Sequence, residues 1–153
     1  DFTDSYYDSQ LVLVVKKGSK YANATSLADF SGAKVTAQLN TFHYSVIDQI
    51  PGVDKQTAMD NFPAMRVALQ SGTIDAYVSE LPEAISAQAA NSDFVMVKLT
   101  DGFKTSPEDT QTAVGVRKDS SLTKEINEAL KIISSEERQQ IMETAIKNQP
   151  AAE

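Results

Sequence analysis

The chain has 153 residues, a formal net charge of −7 (14 basic against 21 acidic residues), 41% hydrophobic residues and no cysteine. The length predicts one domain or two small lobes, burying about two-thirds of the unfolded surface. Zero cysteine excludes a disulfide framework, a thiol nucleophile and a cysteine-ligated metal site. The acidic balance disfavours nucleic-acid binding through a basic face, and no apolar run approaches the ~18 residues of a membrane helix.

In chain order the pattern alternates strand and helix. Leu11–Lys16 (LVLVVK) is a near-continuous apolar run before the Lys17-Gly18-Ser19 turn, the signature of a buried strand. Ser26–Phe30 predicts a helical turn ending at Ser31-Gly32, and Lys34–Gln38 a second strand. The polar Asn40-Thr41 turn leads into a helix from Phe42 to about Ile50, stopped by Pro51-Gly52. A short strand is expected around Lys55–Ala58. Asp60 and Asn61 suit the cap of a helix that buries Met65, Ala68 and Leu69 and closes at Gly72. Ile74–Ser79 and Phe94–Leu99 read as strands, with Pro82 in the first turn of the helix between them.

Asp101–Thr112 reads as a loop between two structural units. Beyond it the pattern predicts a strand at Ala113–Arg117 and a helix with Leu122, Ile126, Ala129, Leu130 and Ile133 on one stripe. Ser134 and Glu137 have capping-box spacing, opening a last helix expected to bury Ile141 and Ala145. The tail from Gln149 is expected to be disordered. The whole predicts an α/β sheet, largely parallel at its core. The acidic excess lies in residues 1–116, with 8 basic against 14 acidic residues; it reads as a solubility device or a mild attraction for cations.

Open α/β sheets bind small molecules at polar turns between a strand and a helix, where free amides and a partial positive charge face an anion. Gln38-Leu39-Asn40-Thr41 is one such turn, and the Thr41 hydroxyl suits a carboxylate. Ser79-Glu80-Leu81-Pro82 is another, and Glu80 suits an ammonium group. Together they would read a zwitterion, although Thr41 and Glu80 equally suit ordinary helix caps. His43, the single histidine, stands near Thr41 without an orienting acid in the sequence. An exposed or capping histidine is expected there rather than a catalytic one. Tyr6-Tyr7 suits either a cleft wall or strand packing. No nucleophile elbow, phosphate-cradling loop or histidine–carboxylate metal spacing is present, so no catalytic residue, metal or cofactor is expected.

The ordered blocks DFTDSYY, LVLVVKKGS, SLADFSGAKVTAQLNT, ALQSGTIDAYVSELPEA and TAVGVRKDSSLTKEINEAL resemble the polar amino-acid substrate-binding proteins of ABC importers. The likeness runs in order across nearly the whole chain. It implies a periplasmic-binding-protein-like (type II) α/β fold of two lobes joined by hinge strands, closing on an amino acid. Residues 1–9 would end the first lobe and form hinge 1, 10–104 the complete second lobe, and 105–111 hinge 2. Residues 112–148 would return to the first lobe, with a tail at 149–153.

By the same resemblance Thr41 receives the ligand α-carboxylate and Glu80 the α-ammonium, with Gln38, Asn40 and Phe42 beside them. Asn40 stands where that family usually has Gly, and Glu80 where it usually has Asp. The family's upstream aromatic and arginine ligands have no counterpart here, so the sequence reads as the C-terminal part of a larger protein. The apolar stripe of residues 113–133 is then expected to pack in a homodimer, a swapped assembly or an altered pose.

The implied role is the extracytoplasmic component of an importer, periplasmic or lipid-anchored upstream, with ABC permease subunits as partners. A free polar or basic amino acid is the expected ligand, arginine or lysine ahead of glutamine or histidine. The alternatives are a prephenate- or arogenate-type dehydratase of the same fold and a sensor or receptor module.

Overall fold

A computed structural model describes residues 1–149. The first half contains β1 (Tyr7–Asp8), β2 (Leu11–Lys16), a 3₁₀ turn (Leu27–Phe30), β3 (Lys34–Thr36), α1 (Phe42–Val46), a second 3₁₀ turn (Ile47–Gln49) and β4 (Asp54–Lys55). Next come α2 (Phe62–Ser71), β5 (Ala76–Glu80), α3 (Leu81–Ala90) and β6 (Phe94–Val97). The chain ends through α4 (Pro107–Thr110), β7 (Gln111–Thr112), α5 (Leu122–Leu130) and α6 (Ser135–Asn148). The described residues divide into two compact units, one of residues 10–105 and one of residues 1–9 with 106–149.

Residues 10–105 build a five-stranded sheet in the order β4-β3-β5-β2-β6. β3 runs parallel to β4 and β5, whereas β2 runs antiparallel to both β5 and β6. Four strands therefore point one way and β2, between β5 and β6, points the other. The expected largely parallel core is a mixed sheet, because β2 enters from the other end before the strand–helix crossovers begin. Its side chains alternate between two cores. Leu11, Leu13 and Val15 pack with Phe30, Val35, Ile47, Ile50 and Val78. Val12 and Val14 pack on the opposite face with Met65, Leu69, Tyr77, Ala84 and Ala87. A strand buried on both faces must be apolar throughout, which is why LVLVV is unbroken.

The helices of this unit follow local rules. Asn61 caps α2 by accepting from the Ala64 amide at 2.9 Å, and Gly72 closes it in the left-handed conformation (φ 79°). Met65, Ala68 and Leu69 are its buried face, as the spacing predicts. The expected helix from Phe42 to Ile50 is instead a short α-helix followed by a 3₁₀ turn. The expected strand at Lys55–Ala58 lies at Asp54–Lys55, where it reaches β3.

In residues 1–9 with 106–149, β1 and β7 form an antiparallel pair, Tyr7 opposite Thr112 and Asp8 opposite Gln111. The expected loop 101–112 contains α4 and β7. Ser106 and Asp109 close a reciprocal capping box with Pro107 in the first turn, which nucleates one helical turn. Ala113–Arg117 forms no ladder; it meets residues 1–3 through scattered bonds, Thr3 N–H to Val114 O at 3.1 Å and Val116 N–H to Asp1 O at 2.9 Å. α6 opens with the predicted Ser134–Glu137 box. Arg138 ties the end of α5 by donating to the Ile133 carbonyl at 3.1 Å, and also donates to the Leu130 carbonyl. Ile141 and Ala145, expected to be buried, are exposed, because no element of this unit lies over that face. Residues 150–153 of the expected tail lie outside the described residues.

Candidate functional site

The site is assembled from two strand ends of the five-stranded sheet. β3 ends at Thr36, and Gln38 continues alongside Met59 through an isolated parallel bridge. The Gln38 side-chain amide donates to the Asp60 carbonyl at 3.2 Å. Asn40 then takes a left-handed backbone (φ 61°), which Asn tolerates better than most residues. That conformation explains why a glycine suits this position. Thr41 begins α1 in an extended conformation, and its hydroxyl donates to the Gln38 carbonyl at 2.7 Å. Phe42 is half-buried and its ring lies 4.3 Å from that of His43, tilted by 31°.

Glu80 is the last residue of β5, in register with Leu11 of β2, and precedes α3. The next amide, Leu81 N–H, donates to Gln10 O at 2.9 Å, which fixes the exit of the strand. Neither Thr41 nor Glu80 caps its helix with its side chain. Both nevertheless stand at the N-cap position of their helices, each with an extended backbone.

His43 is the principal correction at residue level. It is buried, with 7% of its surface exposed, and its Nε2 lies 3.1 Å from Glu80 Oε1. The orienting acid missing from the local sequence is thus supplied from 37 residues away. A contact between α1 and β5 has no signature in either segment alone. The Glu80 side chain keeps 35% of its surface exposed, so this carboxylate remains accessible.

A second polar cluster supports the same strand end. Arg66 of α2 donates to Glu83 Oε1 through Nε at 3.2 Å and Nη2 at 2.6 Å. The other Glu83 oxygen accepts from the buried Ser79 hydroxyl at 2.5 Å. Burial works against the Arg66 charge, but the hydrogen bonds and charge of Glu83 outweigh it, and the guanidinium is held still more firmly protonated. Burial first, and then the Glu83 charge, push the Tyr77 hydroxyl well above the usual tyrosine range. The Ser79/Glu83 spacing across a strand–helix junction is the one sequence signal that could have marked this cluster. Among the described residues no group of histidine, aspartate and glutamate is placed to hold a metal ion. No described helix is long and apolar enough to cross a membrane.

A mixed α/β sheet with polar strand–helix turns at one end is the architecture of periplasmic-binding-protein-like proteins, and solved structures of that class resemble this chain. A substrate-binding protein of an amino-acid ABC transporter, AbpA from Streptococcus pneumoniae, solved with L-arginine, is 26% identical, with a TM-score of 0.74 over 96% of this chain and 61% of that one. A mutant of ArgBP from T. maritima is 26% identical, with a TM-score of 0.71 over 97% of this chain and 62% of that one. An ancestral arginine-binding protein bound to glutamine is 29% identical, with a TM-score of 0.69 over 94% and 62%. The chain thus spans about three-fifths of the length of these proteins. They are binding proteins by description, and the resemblance carried by the sequence blocks is to the same group. No protein-family model and no curated protein matches the chain.

Proposed function

We propose that this chain is the amino-acid-recognising part of an extracytoplasmic substrate-binding protein that serves an ABC importer, and that it is not an enzyme. One observation carries the reading: an accessible carboxylate, Glu80, stands at the end of β5 and is tied through His43 to the Gln38–Phe42 turn. A free amino acid offers the complementary groups. Its α-ammonium is met by Glu80, a charge-assisted hydrogen bond of the stronger kind. Its α-carboxylate is received at the turn that Thr41 closes and at the first two amides of α1, the Thr41 hydroxyl itself holding the turn by donating to the Gln38 carbonyl. Gln38, Asn40 and Phe42 shape the turn around it.

The acidic excess of residues 1–116 favours a basic side chain, and five of the neighbouring structures are described with arginine or glutamine. Arginine or lysine is therefore the first choice. The stretches 7–9 and 105–111 are proposed as hinges, and delivery to a permease follows from the class. Calorimetry with the twenty L-amino acids tests the reading. Binding of a basic amino acid, lost in Glu80→Ala and absent for agmatine, which lacks the α-carboxylate, is the expected result. No binding by any amino acid would sink it.

A further inference from the structure

We infer that His43 is a positioning residue for the ligand ammonium, holding the Glu80 carboxylate by one oxygen and, when protonated, competing with the ligand for it. The inference rests on the amino-acid reading of the site. Three observations support it. The ring is buried yet its Nε2 reaches Glu80 Oε1 at 3.1 Å. It is packed against Phe42, which restricts its rotation. Its Nδ1 is buried with no hydrogen-bond partner among the described residues, so the Glu80 contact is what orients the ring.

A carboxylate only accepts, so Nε2 carries the proton in this contact whatever the ring's charge. One N–H then occupies one acceptor position on Glu80, and a carboxylate offers about four in all. Pinning a glutamate this way removes rotamer freedom that the ligand would otherwise have to freeze. The extra methylene of Glu, relative to Asp, makes such a restraint more consequential, because it adds one rotatable bond.

Protonation changes the balance. An imidazolium places a full positive charge against the carboxylate that the ligand ammonium requires, and two cations then share one anion. By linkage, a ligand bound to Glu80 expels the proton from His43, and acidification weakens binding. Other ionisable groups on the surrounding elements are engaged elsewhere. Asp48 pairs with Lys55 at 2.9 Å, the Tyr44 hydroxyl donates to Gln56 O at 3.0 Å, and Glu83 pairs with Arg66. Glu80 is the one ionisable partner of His43 among the described residues.

The test uses the full 153-residue chain with L-arginine and L-glutamine as probes. As the single histidine, His43 gives an unambiguous imidazole signal in nitrogen-edited NMR. An exchange-slowed Nε2–H proton is expected without ligand and should vanish in Glu80→Ala. In calorimetry, His43→Leu should weaken binding at pH 8 by about tenfold, the size of one charge-assisted hydrogen bond. His43→Gln, which keeps a donor and cannot ionise, should recover most of that loss. The wild type should lose at least about tenfold in affinity between pH 8 and pH 5.5, and His43→Gln less than about threefold. Equal affinities and equal pH slopes in all three proteins would overturn the role of His43 while leaving the amino-acid reading intact. A flat response to both probes in every protein, with the Nε2–H signal present and Glu80-dependent, would instead overturn the amino-acid reading and the competition with it.

Discussion

Residues 10–105 and residues 1–9 with 106–149 are built from the same kinds of pattern and reach different packing. In the first unit β2 is covered on both faces, and Leu13, Phe30, Val35, Met65 and Tyr77 are wholly enclosed. In the second, Thr3 is the one buried residue among those described. Its helices α4 and α6 open with reciprocal capping boxes and α5 has a clear apolar stripe, yet no residue of α5 or α6 is buried, and Leu122 and Ile141 are exposed by 50% and 60%. Local signals thus suffice to make helices in both regions, but only a covering layer turns a stripe into a core. An apolar hollow of about 270 Å³ between Tyr6, Leu130, Ile133 and Met142 marks the face that lacks one.

The sharpest way to break this contrast is to cut equally deep into both units. Leu13→Ala or Phe30→Ala should cost about 3–5 kcal/mol, lost apolar transfer plus a cavity that the rigid sheet cannot close. Ile141→Ser should move stability by less than about 0.5 kcal/mol, since it removes little buried area. Urea titrations of the variants give both numbers. A large loss from Ile141→Ser would show that the α6 face is covered in solution.

A smaller effect probes what supports Glu80. Removing Glu83 alone takes the ion-pair partner from Arg66, leaves the buried Ser79 hydroxyl only the Glu80 carbonyl at 3.2 Å, and should cost about 1–3 kcal/mol, reduced from the fully buried case because both charges keep some solvent. Adding Arg66→Met to Glu83→Leu should recover much of it, and a double-mutant cycle measures the coupling. At the site turn, Asn40→Ala should destabilise by about 1 kcal/mol, because alanine resists the left-handed backbone that Asn40 occupies, while Asn40→Gly should be neutral or mildly stabilising.

The parts legible in the sequence are those fixed within a few residues. The LVLVVK strand, the Asn61 cap, the Gly72 stop and the Ser134–Glu137 box all follow from neighbours in the chain, and each stands where the pattern puts it. The Ser106–Asp109 box carries the same kind of signal, masked by the turn-forming Asp101-Gly102 and Pro107 around it. What was not legible depends on distance. The reversal of β2 is set by which strand ends the crossovers join, and the His43–Glu80 contact by the placing of α1 against β5. The candidate turns at Gln38–Thr41 and Ser79–Pro82 were legible as polar strand–helix junctions, but the burial of His43 was not, since a histidine after a polar turn reads as solvent-facing.

The finest comparison uses one carboxylate from each unit. Asp29 accepts from the amides of Thr25 and Ser26 at 2.8 and 2.9 Å, and Glu137 accepts from the Ser134 amide at 2.8 Å. These backbone hydrogen bonds, the largest cause in each case, hold both carboxyls below their ordinary values. A carboxyl whose ionisation is favoured by folding stabilises the fold above the unfolded value and loses that contribution as pH falls through the folded value. Asp29→Asn and Glu137→Gln should therefore each lower stability slightly at pH 7, with the difference from wild type vanishing on acidification below the ordinary carboxylate range. The two variants should differ in which transition they move. Asp29→Asn should shift the cooperative unfolding of the enclosed sheet, followed by near-ultraviolet circular dichroism. Glu137→Gln should alter only the helical signal of residues 135–148, because a helix without a covered face unfolds on its own terms. A matched shift of both signals by both variants would mean that the two units melt as one.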